Sequence, residues 1–272
     1  MPLVSVIIAC LNDLEHLPKA VDSVLGQSFT DIELVIVDGA SKDGTPDYLK
    51  ALADSRVIWR SERDDGLTQA WNKAVRLARG DWLQFLGADD YLWDREVITR
   101  AAPYLKESGA ILAFGGVNIV AEQSDDVVQT ARFDKDRLLA QLSGPRGLGL
   151  PHQGFFHSRR AFDTGPFDAS FRLAADYEFI SRFSAGKDFF FLPIGPVAAF
   201  RMGGLSTNPW VTLEAYREFA RVHRLRGRGR LHGAGQMTKA HLKIWMKALF
   251  GTYIARWLVN ISRSVRGMPR YK

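Results

Sequence analysis

The sequence predicts an α/β fold with a mostly parallel central sheet and helices on both of its faces. Three observations predict it. Short apolar runs alternate with segments of helical spacing from the start of the chain to Asp90, the runs are almost free of polar residues, and turn residues punctuate the joins. At 272 residues, 46% hydrophobic and 24% charged, the chain can bury a substantial core as one large domain or as one domain with an appendage.

The elements follow in order. "LVSVIIACLN" reads as a buried strand, and 14 to 26 has helical spacing through Leu17, Ala20, Val21, Val24 and Leu25. "IELVIVDGAS" is a second strand that ends in small and polar residues. "DGTPDYLKALAD" opens with turn residues and continues as a helix, and "RVIWRSE" is a short strand. "GLTQAWNKAVRLARG" is a helix closed by Gly80, and "DWLQFLGADD" is a fourth strand.

In such sheets ligands bind outside the carboxyl ends of the strands, where loops converge and helix N-termini point. Asp38 ends the second strand, Asp64 and Asp65 follow the third, and Asp89 and Asp90 end the fourth. Carboxylates gathered on one edge repel one another and raise each other's pKa unless a cation sits among them. A hard divalent ion, Mn²⁺ or Mg²⁺, held by one or two carboxylates together with phosphate oxygens would relieve that repulsion. Each aspartate taken alone also fits a helix cap or a turn.

"SVIIACLND", "VIVDGASKDGT", "ERDDGLTQAWNKAVRLARGDWLQFLGADD" and "FRLAADYEFISRF", in this order, resemble the inverting family-2 glycosyltransferases, in particular nonprocessive bacterial members of the colanic-acid type. The resemblance covers roughly residues 3 to 205 and implies the GT-A fold, a Rossmann-like nucleotide-diphospho-sugar transferase fold. It implies a catalytic domain over 1–205, with a nucleotide-sugar-binding half (1–118) and an acceptor-binding half (119–205), followed by a basic helical extension over 206–272. By the same resemblance Asp38 contacts the nucleotide base, usually uracil, and Ala9 to Asn12 line that pocket. Asp65 faces base and ribose with Asp64 as a neighbour, Asp89 touches the ribose, and Asp90 binds the metal that bridges the diphosphate. Gly87 stands where a strict Asp-x-Asp motif has its first acid, which leaves the division of labour between Asp89 and Asp90 open.

An inverting displacement needs a general base for the acceptor hydroxyl. "RLAADYEFISRF" reads as a helix start rich in acids, and the resemblance places the base at Asp176. Many members carry Glu-Asp there, but Ala175 precedes Asp176, so Glu178 remains the alternative. "PHQGFF" resembles the strand that brings sugar and acceptor contacts to the donor, with His152 and Gln153 as polar tips; a structural role for His152 is equally open. His157, Arg159 and Arg160 read as a solvated face, and "TGPFD" as a turn.

"FRMGGLSTNPW" has the composition of a loop that could order over the diphosphate. No Gln-x-x-Arg-Trp pattern of processive synthases is present, which favours single transfers. From Thr238 the apolar residues, among them Leu242, Trp245, Leu249, Tyr253 and Trp257, recur at helical steps with Lys243, Lys247 and Arg256 on other directions. This amphipathic stripe, 238–262, could cover the catalytic domain, pair with another subunit in a homo-oligomer, or lie on an anionic membrane. In the last case a lipid-linked sugar is the expected acceptor, for a surface polysaccharide or glycolipid.

The one cysteine, Cys10, reads as a small buried hydrophobe, and no signal peptide or uninterrupted apolar span is legible, so a cytoplasmic location is expected, at the inner membrane face if 238–262 lies on a membrane. Net charge is +6 with many arginines late in the chain, but Arg224, Arg226, Arg228 and Arg230 lack interleaved aromatics and read as a solvated linker, not a nucleic-acid surface. "ACLNDLEHL" has no glycine, which argues against a dehydrogenase, and no basic glycine-rich loop, which argues against the runner-up, a sugar nucleotidyltransferase.

Overall fold

The structure is a computed structural model and describes residues 1–132, 134–143, 151–183, 188–203 and 209–227. The amphipathic stripe at 238–262, Arg228 and Arg230, and the middle of the 200–210 loop lie outside the described residues. The first half follows the expected alternation: β1 (Val4–Cys10), α1 (Leu17–Leu25), β2 (Ile32–Asp38), α2 (Thr45–Ala51), β3 (Val57–Ser61), α3 (Leu67–Leu77) and β4 (Trp82–Gly87). The second half is mixed: β5 (Tyr91–Leu92), α4 (Val97–Glu107), β6 (Leu112–Val120), β7 (Val127–Ala131), α5 (Lys135–Ser143), β8 (Phe155–Ser158), α6 (Ala175–Ile180), β9 (Phe189–Arg201) and α7 (Pro209–Leu225).

Nine strands among the described residues form one sheet, ordered β3-β2-β1-β4-β8-β6-β9-β5, with β7 added on β6. β3, β2, β1 and β4 run parallel, and β8 enters antiparallel between β4 and β6. The uninterrupted apolar strands are explained by their two buried faces. Ile7, Val35, Val37, Leu83 and Phe85 pack with α3 and α6 in one cluster, while Val6, Ile8, Leu34, Ile36 and Leu86 pack with α1 and α4 in the other. Strand period 2 thus feeds both layers with apolar side chains.

Three expectations change. "PHQGFF" is not all strand: His152–Gly154 forms a 3₁₀ turn after Pro151, and only Phe155–Ser158 pairs. Of the expected solvated face only Arg160 is exposed: His157 is fully buried, and Arg159 donates to the carbonyls of Ala78 and Gly80 at 2.9 Å each, closing the end of α3. Nor is the arginine-rich run a solvated linker throughout. α7 buries Val222 in the core beside α6, and within the arginine-rich run Arg221 and Arg226 are folded contacts, to Ser170 and Glu178 respectively. No helix among the described residues is long and apolar enough to cross a membrane.

Candidate active site at the carboxyl edge of the sheet

Register aligns the strand ends. Cys10 pairs with Asp38, Asp38 with Ser61, and Ala9 with Gly87, so the loops after β1, β2, β3 and β4 open on one edge. Asp38 is fully buried and accepts hydrogen bonds from the backbone N–H of Ser41 (3.1 Å), the hydroxyl of Ser41 and that of Ser61 (2.5 Å). The Cys10 thiol lies 3.8 Å from it, and burial followed by the Asp38 charge pushes that thiol well above its ordinary range. Cys10 is therefore an inert buried thiol, as its apolar surroundings suggest.

Asn12 laces the first loop to the second. Its N–H donates to Ser41 Oγ at 2.7 Å, and its Oδ1 accepts from Lys42 N–H at 2.8 Å. Asn12 (φ 53°) and Ala40 (φ 65°) are the non-glycine residues with left-handed backbone among the described residues, and both sit at this edge. Such strain persists only where surrounding bonds over-determine it, and it gathers at functional sites.

Asp64 and Asp65 part company. An ideal Cβ on Gly39 would stand 3.3 Å from Asp64 Oδ2 and 3.2 Å from Leu11 Cδ1, so Asp64 is turned toward the end of β2. Asp65 is exposed at the rim, where it and Gln69 exchange two bonds of 3.1 Å that secure the start of α3.

The acidic corner after β4 is the most constrained part of the edge. Asp90, 2% exposed, accepts from Arg201 N–H on Oδ1 (2.9 Å) and from Gly87 N–H (3.2 Å) and Gln153 Nε2 (2.5 Å) on Oδ2. Asp89 is half-buried; apart from its own backbone N–H, its carboxylate has no hydrogen-bond partner among the described residues. Burial, then the charge of Asp89, pushes the Asp90 carboxyl upward; burial, then the charge of Asp13, pushes Asp89 upward. Gly87 is required here: a Cβ would lie 2.4 Å from Asp90 Oδ2 and 2.8 Å from Asp89 Oδ1.

No group of three or more His, Cys, Asp or Glu side chains gathers for a metal ion among the described residues. The pair Asp89 and Asp90 nevertheless suits a hard divalent ion that draws its other ligands from phosphate oxygens and water. Burial is the main cause of their upward shifts, and the neighbouring carboxylate charge that adds to it is what such an ion would offset.

Arg201 is a residue that sequence reasoning did not single out. Its guanidinium donates to the carbonyls of Asp89 (3.2 Å), Glu122 (3.2 Å) and Ser124 (3.2 Å) and pairs with Asp125 at 2.9 Å, pinning the corner to the turn between β6 and β7. The available signal was an arginine directly after a long apolar strand.

His152 and Gln153 separate. Antiparallel pairing of β8 with β4 brings Gln153 to the corner, whereas His152 lies among Trp71, Phe85 and Phe167 with ring centroids 5.0, 5.1 and 6.1 Å away. His157 Nδ1 donates to the Leu83 carbonyl (3.3 Å), so its Nε2 accepts from His152 Nε2 (3.3 Å). Burial lowers both, His157 to about 3, so both rings are neutral at pH 7.

The acidic helix start reaches the same edge along α3. Asn72 donates to the Phe167 carbonyl (2.9 Å) and Thr68 to that of Phe171 (2.8 Å), so the chain climbs toward the N-terminus of α3 before entering α6. Asp176 retains some surface, and its Oδ1 accepts from Tyr177 N–H at 2.7 Å. Burial pushes its carboxyl up to about 6, with the charge of Glu218 adding to the rise. Glu178 is engaged by Arg182 (2.6 Å) and Arg226 (2.9 Å). The two acids thus sit in opposite environments.

Residues 5–169 match the model of the family described as Glycosyl transferase family 2. Over 183 residues, 65% of this chain and 68% of the relative, the sequence is 37% identical to a "PGL/p-HBAD biosynthesis glycosyltransferase" of Mycobacterium bovis. It is 34% identical over 124 residues, 44% of this chain and 49% of the relative, to the "Putative teichuronic acid biosynthesis glycosyltransferase TuaG" of Bacillus subtilis. Among solved structures it is similar to the mannosyltransferase PcManGT of Pyrobaculum calidifontis in complex with GDP-Man and Mn²⁺, with a TM-score of 0.63 and 18% identity over 100% of this chain and 81% of that one. S. aureus TarS in complex with UDP-GlcNAc gives a TM-score of 0.62 and 16% identity over 97% of this chain and 78% of that one. At these identities the likeness is one of fold.

Proposed function

This chain belongs to glycosyl transferase family 2 and is a glycosyltransferase, and we propose that it moves a sugar from a nucleoside diphosphate sugar to an acceptor hydroxyl with inversion. A uridine diphosphate sugar is the expected donor. The observation that carries this reading is the corner after β4, where Asp90 is fixed by three hydrogen bonds while the adjacent Asp89 carboxylate faces no partner other than its own N–H. The fold neighbours, one in complex with UDP-GlcNAc and one with GDP-Man and Mn²⁺, support the donor class.

Asp38, Asn12 and Asp64 then frame the base and ribose, and Asp89 and Asp90 would hold a divalent ion against the diphosphate. When bound, that ion supplies Lewis-acid stabilisation of the negative charge that grows on the leaving group. Asp176 takes the proton of the acceptor hydroxyl as it attacks the anomeric carbon from the opposite face. Its carboxyl, near 6, is ionised at pH 7 yet more basic than an ordinary aspartate. Glu178, tied to two arginines, supports the helix instead. Transfer is nonprocessive, and the acceptor is a surface polysaccharide or glycolipid precursor; the relatives' names, which refer to PGL/p-HBAD and teichuronic acid biosynthesis, support that class.

A panel of nucleotide sugars, titrated with and without Mn²⁺ and then assayed for hydrolysis or transfer, tests the reading. Divalent-dependent binding of one nucleoside diphosphate sugar is expected. Full turnover in excess chelator would remove the metal from the proposal.

A further inference from the structure

α7 brings a buried carboxylate to the segment that leads into α6. Glu218, 9% exposed, accepts three successive backbone N–H groups: Arg172 (2.9 Å) on Oε1, then Leu173 (2.9 Å) and Ala174 (2.8 Å) on Oε2. These residues immediately precede α6, whose N-cap, Ala174, has no side chain able to cap a helix. An acceptor from another helix, 44 to 46 positions away, thus holds the N–H of the cap residue, as the glutamate of a capping box does, together with those of the two residues before it. Asp176 is two residues beyond the last of these bonds.

Attachment of α7 does not depend on Glu218. Farther along α7, His223 Nε2 lies 3.4 Å from the Tyr177 hydroxyl and Phe219 meets the Tyr177 ring at 5.2 Å, and just past its end Arg226 bonds Glu178 Oε1 (2.9 Å) and Ser181 Oγ (3.2 Å). The helix is clamped to α6 by these contacts while Glu218 acts on the lead-in. A charged acceptor with both oxygens spent on backbone is an unusually firm anchor, because each bond is charge-assisted and shielded from water.

We propose that Glu218 is a positioning residue of the transfer reaction, fixing the backbone that aims Asp176 at the acceptor hydroxyl. The proposal rests on Asp176 being the base. It makes α7, beyond the segment that the family match covers, part of the catalytic apparatus. Glu218 has a second effect through its charge. The titratable and charged groups on the elements packed about α6 are Glu218 and His223 from α7, Arg226 just past it, Glu178 on α6 itself, Arg182 in the turn after it, and Asp168 and Arg172 in the lead-in. Burial raises the Asp176 carboxyl first; Glu178 is offset by its two arginines, and Glu218 is the anion that adds to the rise.

The test compares full-length wild type with Glu218→Ala, Glu218→Gln and Asp176→Asn, measuring donor affinity, kcat, donor KM and the pH profile of kcat. Glu218→Ala is expected to lower kcat by roughly 10- to 100-fold with donor affinity and KM within a few-fold, the cost of a misaimed group distant from the bound donor. Glu218→Gln keeps one acceptor oxygen and should recover part of kcat, and in both variants the acid limb should move to lower pH. If the alanine variant does not fold, the glutamine variant carries the same readings. Folded variants with kcat within twofold of wild type and an unmoved acid limb overturn the proposal. Wild-type turnover in Asp176→Asn overturns the base assignment and this proposal with it, whereas an inactive Asp176→Asn beside fully active Glu218 variants overturns the positioning role alone.

Discussion

Gln153 and Asp90, 63 positions apart in sequence, meet at 2.5 Å between Nε2 and Oδ2. The bond joins the 3₁₀ turn before β8 to the end of β4, and with the Arg201 guanidinium it restrains the acidic corner from the later half of the fold. Gln153→Leu keeps similar bulk and removes the donor, leaving Asp90 with the N–H groups of Gly87 and Arg201. Divalent-dependent binding of uridine diphosphate should weaken about tenfold, the worth of one hydrogen bond to a charged group. Calorimetric titration with and without Mn²⁺ checks this, and an unchanged affinity would show that the corner holds itself.

Gly87→Ala tests the corner from the other side. Its added Cβ would fall 2.4 Å from Asp90 Oδ2 and 2.8 Å from Asp89 Oδ1, so one or both carboxylates must turn away. Donor binding should fall by at least 10-fold, a displacement cost of about 1.4 kcal/mol or more. Because Gly87 is only half-buried, the melting temperature should drop by no more than a few degrees.

The two acids of α6 should respond differently to loss of charge. Asp176→Asn should leave donor affinity within a few-fold and reduce kcat by roughly 10²–10⁴, as for a lost general base. Glu178→Gln leaves Arg182 and Arg226 without their anion in a buried site. That change should cost about 3–5 kcal/mol of stability in a denaturant titration, and the activity of the remaining folded enzyme should persist.

The raised carboxyl of Asp176 gives a signed pH dependence. Its folded value is about 6 against an ordinary 3.8, so between these values the folded state binds the extra proton. Stability from this group is therefore present at low pH and is lost as pH rises through about 6. Asp176→Asn should melt higher than wild type at pH 7.5, and the difference should close by about pH 4. Activity runs the other way, with an acid limb near pH 6 in the kcat profile because the base must be ionised. A flat profile from pH 5 to 8 would contradict the assignment.

Most of the fold was legible because the strands β1, β2 and β4 are buried on both faces and so print as apolar runs. The gathering of Asp38, Asp64, Asp65, Asp89 and Asp90 on one edge also followed from strand alternation alone, although Asp65 lies exposed at its rim. What was hidden depends on partners distant in sequence. "PHQGFF" is apolar enough for a strand, but Pro151 and the demand that Gln153 reach Asp90 turn its first half into a 3₁₀ segment. His157 and Arg159 look like surface residues until the Leu83 carbonyl and the end of α3 supply acceptors. Glu178 and Asp176 are both acids at the helix start, and it takes Arg182 and Arg226, the latter 48 positions downstream, to separate their environments.

β8 occupies the centre of the sheet, between β4 and β6, although it is made after β6, β7 and α5. During synthesis, then, the four parallel strands can assemble while the outer edge of β4 still waits for a neighbour some seventy residues away. Along Trp82, Leu83 and Gln84 the backbone groups on that edge wait for their ladder partners until Phe156–Ser158 arrives. A nascent chain stalled before residue 155 therefore exposes a ready template for pairing with another nascent chain, and late closure of the sheet makes ribosome pausing in that interval a hazard for aggregation rather than for catalysis.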